Sequence, residues 1–266
     1  MHEVRKSIRL VSPNVPSNAA GTVGRPAEDD RRFVDGVLWV LRSGMRWQDM
    51  PERYGKYKTT HKRFTRWAGT GVWDRLSPIC SRTGRPVCHD RLKCRSRSPS
   101  GRDGAKKMAS ETALGRSRGG LTTKIHLLAD ALGLPLSFVL TGGQTHDCTQ
   151  AIALLGDRRP EAVLADKGYD TDSILSHLAT RNIQAVIPPR SMRKVQRTFD
   201  RTLYRQRNRI ERTFAQLKQF RRLATRFDKL KQNFQATVAI AYASRWLRQY
   251  IDTTGNICSD KCTKAF

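Results

Sequence analysis

The hydrophobic period of this chain changes once, near Leu121, and that change limits its fold more than any other feature. Before it, apolar residues recur at helical spacing. In AEDDRRFVDGVLWVLRSG, residues Phe33, Val34, Val37, Leu38 and Leu41 fall on one face; Asp29 and Asp30 open the run and Gly44 stops it. A second helix over roughly 59–67 turns Phe64 and Trp67 inward, with Lys58, Lys62, Arg63 and Arg66 largely outward. Two short helices with a basic face and a Gly-containing connection fit a DNA-reading helix-turn-helix. They fit equally well a small bundle with solvated cations.

From Leu121 onward the period is two. Residues 122–128 and 136–140 read as strands joined by the ALGLP turn. A helix over 149–155, a strand over 162–165, a helix over 172–180 and a strand over 184–187 follow, the last closed by Pro188 and Pro189. A helix carrying Glu211 and a more apolar one over about 234–251 complete the core. This is the element order of an RNase-H-like α/β fold, a mixed sheet with flanking helices, here preceded by a small all-α unit. It requires one more strand ahead of Leu121.

That strand belongs near residues 85–95, within SRTGRPVCHDRLKCRSRSPSGRDGAKK. No strand pattern exists there. Arg, Ser, Cys and Pro dominate while Ile, Phe, Tyr and Trp are absent, so the segment reads as a basic linker. The genetic code offers a second reading. Codons for Val87 to Arg102, shifted forward by one base, are compatible with the run YVMIDSSVVRAHQAAG, whose first four residues make a good strand. Two compensating frameshifts would garble the segment in this way.

Composition narrows the partner. A net charge of +27 in 266 residues repels itself and suits a polyanion, nucleic acid first. No apolar run approaches the roughly 20 residues that span a bilayer. MHEVRKSIRLV lacks the apolar core and cleavage site of a secretory signal, so a cytoplasmic location without membrane attachment is expected. The cysteines Cys80, Cys88, Cys94, Cys148, Cys258 and Cys262 have no paired spacing for zinc and read as free thiols.

The stretch YRQRNRIERTFAQLK places Tyr204, Arg207, Glu211 and Lys218 at helical offsets, beside an apolar stripe of Ile210, Phe214, Leu217 and Leu223. Positions seven apart differ by only about 20° around a helix axis, so a carboxylate, two cations and a phenol share a face. Such a face fits a metal-and-phosphate site, and it fits an exposed stripe stitched by ion pairs.

Residues from about 22 to 250 resemble the DDE transposases of bacterial insertion sequences, in particular the insertion-sequence-five family. The blocks that carry the resemblance are DDRRFVDGVLWVLRSGMRWQDMP, YGKYKTTHKRFTRW, GVWDRL, GRSRGGLTTKIHLLADALGLPLSFVLTGGQTHD, LADKGYD and Tyr204-x2-Arg207-x3-Glu211-x6-Lys218. The resemblance implies three carboxylates holding two Mg2+ ions. Asp166 matches the second acid and Glu211 the third. Arg207 and Lys218 would then hold phosphate oxygens, and Tyr204 would meet DNA near the cut. The first acid belongs in an Asp-Ser segment ahead of GRSRGGL, and the in-frame text has none there. Asp90 is the nearest candidate by position; Asp103 fits worse, and Asp130 lies at the hairpin turn. Arg116 and Arg118 of GRSRGG, with Lys62, Arg63 and Arg66, are further candidates for DNA contact.

The expected organisation is a loose arm over 1–25, a helical DNA-binding domain over 26–78, and a basic linker or garbled first strand over 79–118. A catalytic domain over 119–252 and a tail over 253–266 follow. The expected function is metal-dependent cleavage and transfer of double-stranded DNA at insertion-element ends and target sites, by a homo-oligomer on DNA in the nucleoid. Loss of the first acid would impair it. The alternative is an inactive relative that only recognises the element ends.

Overall fold

The computed structural model describes residues 30–74, 87–96, 113–117 and 120–262, with residues 87–96, 117, 247 and 249–262 described by backbone alone. The arm over 1–25 and Arg118 lie outside the described residues. The first helix, α1 (Asp30–Ser43), begins with an acid in its first turn and buries Phe33, Val37, Leu38, Val40 and Leu41. It stops at Gly44, where φ is +70° and an added Cβ would lie 2.8 Å from the Cβ of Arg221. Glycine is required there both for the left-handed turn and for the close approach. The second helix, α2 (Tyr57–Gly69), turns Phe64 and Trp67 inward as the spacing predicts.

Their connection departs from a helix-turn-helix. Residues 44–56 form a long link with 3-10 turns at Trp47–Asp49 and Glu52–Tyr54. A turn of three or four residues would be needed for the DNA-reading motif. The link instead folds back to bury Trp47, Met50 and Tyr54. Phe33, Trp67 and Trp73 lock the two helices together, with the Trp67 ring 5.0 Å from each of the other two.

The sheet contains β1 (Val87–Ser96), β2 (Gly115–Ser117), β3 (Gly120–Ala129), β4 (Pro135–Gly142), β5 (Ala162–Ala165), β6 (Gln184–Val186) and β7 (Thr225–Arg226). Its main path is β2-β3-β1-β5-β6, with β4 paired to β3 and β7 to β1 off that path. β3 is antiparallel to β1 and β4, whereas β1, β5 and β6 run parallel. β2 extends the β3 edge, and β7 pairs with the far end of β1. An antiparallel hairpin followed by parallel strands, with helices between them, is the RNase-H-like arrangement expected from element order.

The segment read as a patternless linker is the central strand of this sheet. Residues 88–95 pair with β3 and residues 87–89 with β5, so neighbours on both sides supply backbone partners that the local sequence does not advertise. Strand formation here follows from tertiary pairing, which outweighs local propensity.

The remaining helices are α3 (Ala151–Leu155), α4 (Asp172–Thr180), α5 (Arg201–Tyr204), α6 (Asn208–Leu217), α7 (Arg221–Ala224) and α8 (Lys231–Cys262). Each sheet face is covered. Ile125, Leu127, Ala129 and Leu164 pack with Ile210, Phe214, Phe234 and Val238, and this core continues into Phe33, Phe64 and Trp67 of the N-terminal helices. Leu128, Val163 and Ala165 pack against Leu155, Ile174 and Leu178 on the other side. Full burial of each such Leu, Ile or Phe contributes about 1.5–3 kcal/mol, so both faces hold the sheet.

Candidate active site

Strand β5 is four buried apolar residues, and Asp166 is the first polar residue beyond them. Its carboxylate therefore emerges at the carboxyl end of the parallel strands, where open α/β sheets leave a crevice. Asp166 caps a 3-10 turn over Lys167–Tyr169, accepting a 2.7 Å hydrogen bond from Lys167 N. The β1–β5 register runs from Val87 opposite Val163 to His89 opposite Ala165. Its next step brings position 90 beside position 166. Asp90 is thus placed by its backbone next to Asp166, and across the other side it pairs with Leu127.

Glu211 stands in the first turn of α6, where an acid complements the helix dipole. The opposite stripe of this helix, Ile210, Thr213, Phe214 and Leu217, is buried, and α6 packs against β1. Thr213 Oγ1 donates to Gly133 O, and Arg209 donates to Ala131 O, which ties α6 to the β3–β4 turn. That turn is itself held by Asp130, whose Oδ1 accepts from the backbone N–H groups of Leu132 and Leu134. Asp130 is a structural carboxylate at the hairpin, as its position implied.

The helical stretch around Glu211 is not one regular helix. A 3-10 segment, Arg205–Arg207, separates α5 from α6. Three residues at about 120° each instead of about 100° swing Tyr204 roughly 60° around the axis relative to Glu211. Tyr204 then packs edge-on against Phe199, with centroids 5.5 Å apart, and the Arg207 Cζ lies 5.7 Å from its ring centre. Arg207 Nη2 is 2.6 Å from Glu211 Oε1, while half of the Glu211 side chain remains exposed. Lys218 follows the last turn of α6 and is exposed. The ion-pair reading of this face is therefore realised between Arg207 and Glu211, and the same pairing holds the carboxylate at the surface.

Among the other expected contact residues, Lys62 and Arg66 are exposed on α2, and Arg116 is exposed on β2. Arg63 is not turned outward. Its side chain is only 13% exposed and pairs with Asp30. The guanidinium lies 4.3 Å from the Phe33 ring centre and 4.6 Å from that of Trp67. Burying the aromatic cluster draws this long side chain across it. His146-Asp147 forms the turn after β4, where Asp147 pairs with Lys124 at 3.1 Å. His126 is buried in β3 and shares a 2.7 Å hydrogen bond with Thr141.

Sequence reasoning missed Asp170, although it stands within the quoted block LADKGYD. Its side chain is fully buried and pairs with Arg193 at 2.7 Å and Arg197 at 2.5 Å. It also accepts from Arg190 N at 2.9 Å. Burial pushes this carboxyl up, but the hydrogen bonds from Arg190 N and Arg193 and the charges of Arg193 and Arg197 outweigh it. Its pKa is held below the ordinary carboxylate value. Arg190 also donates to Lys167 O and Gly168 O, so the loop after β6 is fastened to the turn that presents Asp166.

Asp166 and Glu211 are hard oxygen donors suited to a divalent ion such as Mg2+. Among the described residues no three His, Cys, Asp or Glu side chains form a metal-binding group. No described helix is long and apolar enough to cross a membrane.

Sheet order and the acid at the end of β5 define an RNase-H-like protein with an acidic site. The family model described as "Transposase DDE domain" matches residues 82–246, and "Putative transposase of IS4/5 family" matches residues 7–77. The chain belongs to the DDE transposase family of insertion sequences. It is 40% identical over 131 residues to the putative transposase for insertion sequence element IS6501 of Brucella ovis, covering 48% of this chain and all of that one. Against the putative transposase for IS402 of Burkholderia cepacia, identity is 35% over 119 residues, covering 40% of this chain and 54% of the relative. Among solved structures, the piggyBac transposase synaptic complex with hairpin DNA aligns with a TM-score of 0.50 and 11% identity. That alignment spans 98% of this chain and 73% of the other and speaks for the fold alone.

Proposed function

We propose that this chain derives from an enzyme that cuts and joins phosphodiesters at insertion-element ends, and that its own activity is impaired. The observation that carries this reading is the placement of Asp166 at the carboxyl end of β5, beside a central strand against which the Glu211 helix packs. Asp166 and Glu211 are the residues that would hold Mg2+, two ions in the intact constellation. Bound ions there would polarise a phosphodiester and lower the pKa of an attacking water or 3′-hydroxyl. Arg207 would exchange its pairing with Glu211 for a phosphate oxygen, Lys218 would hold a second phosphate, and Tyr204 would border the DNA strand. Lys62, Arg66, Arg116 and Arg118 are further phosphate contacts of a duplex partner; Arg63 serves the aromatic cluster instead. Element ends and target DNA, a homo-oligomer that brings two ends together, and a nucleoid location complete the proposal.

The impairment rests on β1. Asp90 is the in-frame acid that strand register sets beside Asp166, but the shifted reading places its Asp at position 91, where this chain has Arg opposite His126. A cation at the first-acid position repels divalent metal instead of binding it. The same observation favours the second reading, a relative that binds element ends without cutting them.

Metal-dependent nicking of a supercoiled plasmid carrying the element ends tests the assignment. The chain as it stands should show little or none. Replacing residues 87–102 by YVMIDSSVVRAHQAAG should bring nicking, and Asp166→Asn or Glu211→Gln in that repaired chain should abolish it. Nicking by the repaired chain that survives both substitutions would remove these carboxylates from the mechanism.

A further inference from the structure

Arg190 is exposed, basic and beside the turn that presents Asp166, so by type and place it resembles one more phosphate contact. Its guanidinium is engaged within the protein instead. Nη2 donates to Gly168 O at 2.8 Å and Nε to Lys167 O at 3.3 Å, while the backbone N–H of Arg190 donates to Asp170 Oδ2 at 2.9 Å. We propose that Arg190 is a positioning residue for Asp166: its fork holds the Lys167–Tyr169 turn in the shape that fixes the direction of the Asp166 carboxylate. The inference rests on the reading of Asp166 as a metal ligand and names a residue that reading does not contain.

The Asp166 carboxylate is directed by the hydrogen bond that its Oδ1 accepts from Lys167 N at 2.7 Å. That N–H stays aligned only while the peptide planes after it are held. Gly168 cannot hold them by packing: it is exposed, it has no side chain, and no atom lies within 4 Å of where a Cβ would stand. The two carbonyls of this stretch are fixed from outside instead, Lys167 O by Asp170 N at 3.2 Å and by Arg190, and Gly168 O by Arg190. The clamp is itself anchored. The buried Asp170 carboxylate accepts from Arg193 at 2.7 Å and Arg197 at 2.5 Å as well as from Arg190 N, so one side chain secures three points of the loop that carries the fork. Two carbonyls on successive residues suit a planar guanidinium with several donors, whereas a single ammonium on a flexible stem does not span them. Groups that orient a ligand in this way set metal affinity without touching the metal.

Amide exchange at Lys167 in the full chain, measured by NMR without metal, tests the clamp, because that N–H is the donor to the Asp166 carboxylate. Arg190→Gln and Arg190→Lys should both speed it by about tenfold through loss of the charge-assisted bonds to the turn. Lys194→Gln, exposed in the same loop, should leave it unchanged. The lysine variant carries the test if glutamine disturbs the loop. In the chain repaired over 87–102, Arg190→Lys should raise the Mg2+ concentration for half-maximal nicking by about 10–100-fold, with duplex affinity unchanged. A phosphate contact behaves in the opposite way. It would leave the Mg2+ requirement of Arg190→Lys as it was and flatten the slope of log affinity against log salt by about 0.9 in Arg190→Gln, and that pair of results would overturn the positioning role. Unchanged Lys167 exchange in a folded Arg190→Gln chain would also overturn it while leaving the assignment of Asp166 intact. Undiminished nicking by Asp166→Asn in the repaired chain would sink the ligand and its positioning residue together.

Discussion

Asp170 and Arg63 show how far a side chain's type falls short of its role. Both belong to polar stretches, and both are turned inward by what surrounds them. Asp170→Asn leaves Arg193 and Arg197 without their buried counter-charge, and loss of one partner of such a pair costs about 3 kcal/mol where the other partners keep some water contact. Chemical denaturation should report that loss at neutral pH. The sign with pH follows from the lowered pKa: the stabilisation is complete above the ordinary unfolded value, about 3.9, and fades as pH falls through the lower folded value. The asparagine variant should lack that acid-induced step. On α2, Arg63→Ala should lower stability by about 1–2 kcal/mol through loss of its two ring contacts and the Asp30 pair. Lys62→Ala, one residue away and exposed, should change stability by less than about 0.5 kcal/mol and act only on the salt slope of DNA binding. Equal melting losses for the two variants would contradict the inward placement of Arg63. The charge pattern marked both residues as basic; only the packing of Phe33 and Trp67 decides which one faces water.

At the scale of elements, α6 is positioned as much by a turn as by its own apolar stripe. Gly133 has φ of +80°, and a Cβ there would lie 2.9 Å from Thr213 Oγ1 and 3.1 Å from Arg209 O. Gly133→Ala should therefore cost more than about 1 kcal/mol and shift the helix that presents Glu211. Gly69→Ala is the control: no atom lies within 4 Å of its Cβ position, and the residue ends α2. There the change should be neutral or stabilising by up to about 1 kcal/mol in thermal melts. A neutral Gly133→Ala would mean that the turn yields freely and does not fix α6. The strand β5 and the helix α4 were legible because their apolar spacing is unambiguous and Thr171 caps α4 through Ile174 N. The 3-10 break at Arg205–Arg207 was not, because a single 3-10 turn differs from an α turn in its hydrogen-bond span, which the residue pattern of YRQRNRIER does not mark.

The whole molecule hinges on its central strand. Residues 87–96 pair on both sides of the sheet with a sequence that has no strand alternation, so their place in the sheet is set by backbone pairing with β3 and β5. Restoring YVMIDSSVVRAHQAAG over 87–102 replaces Cys, His and Asp at its first positions by apolar residues, and should raise the melting temperature together with the gain of nicking. A repaired chain that melts no higher would show that β1 already packs adequately and that the shifted frame has no structural basis. By itself the sequence determined the order of elements, the apolar faces that cover the sheet and the need for one more strand, because periodicity is a local property; Asp166 and Glu211 were singled out as candidate acids by the family blocks LADKGYD and Tyr204-x2-Arg207-x3-Glu211-x6-Lys218. Element order placed that strand near 85–95, but tertiary structure alone decided its pairing with β3 and β5, that Asp170 is buried and Arg63 turned inward, that α6 hangs on the β3–β4 turn, and that Arg42, Arg245 and Arg248 line one cleft. Each of these depends on residues far apart in the chain, and contact between distant segments is set by packing of the complete core, which no local pattern encodes.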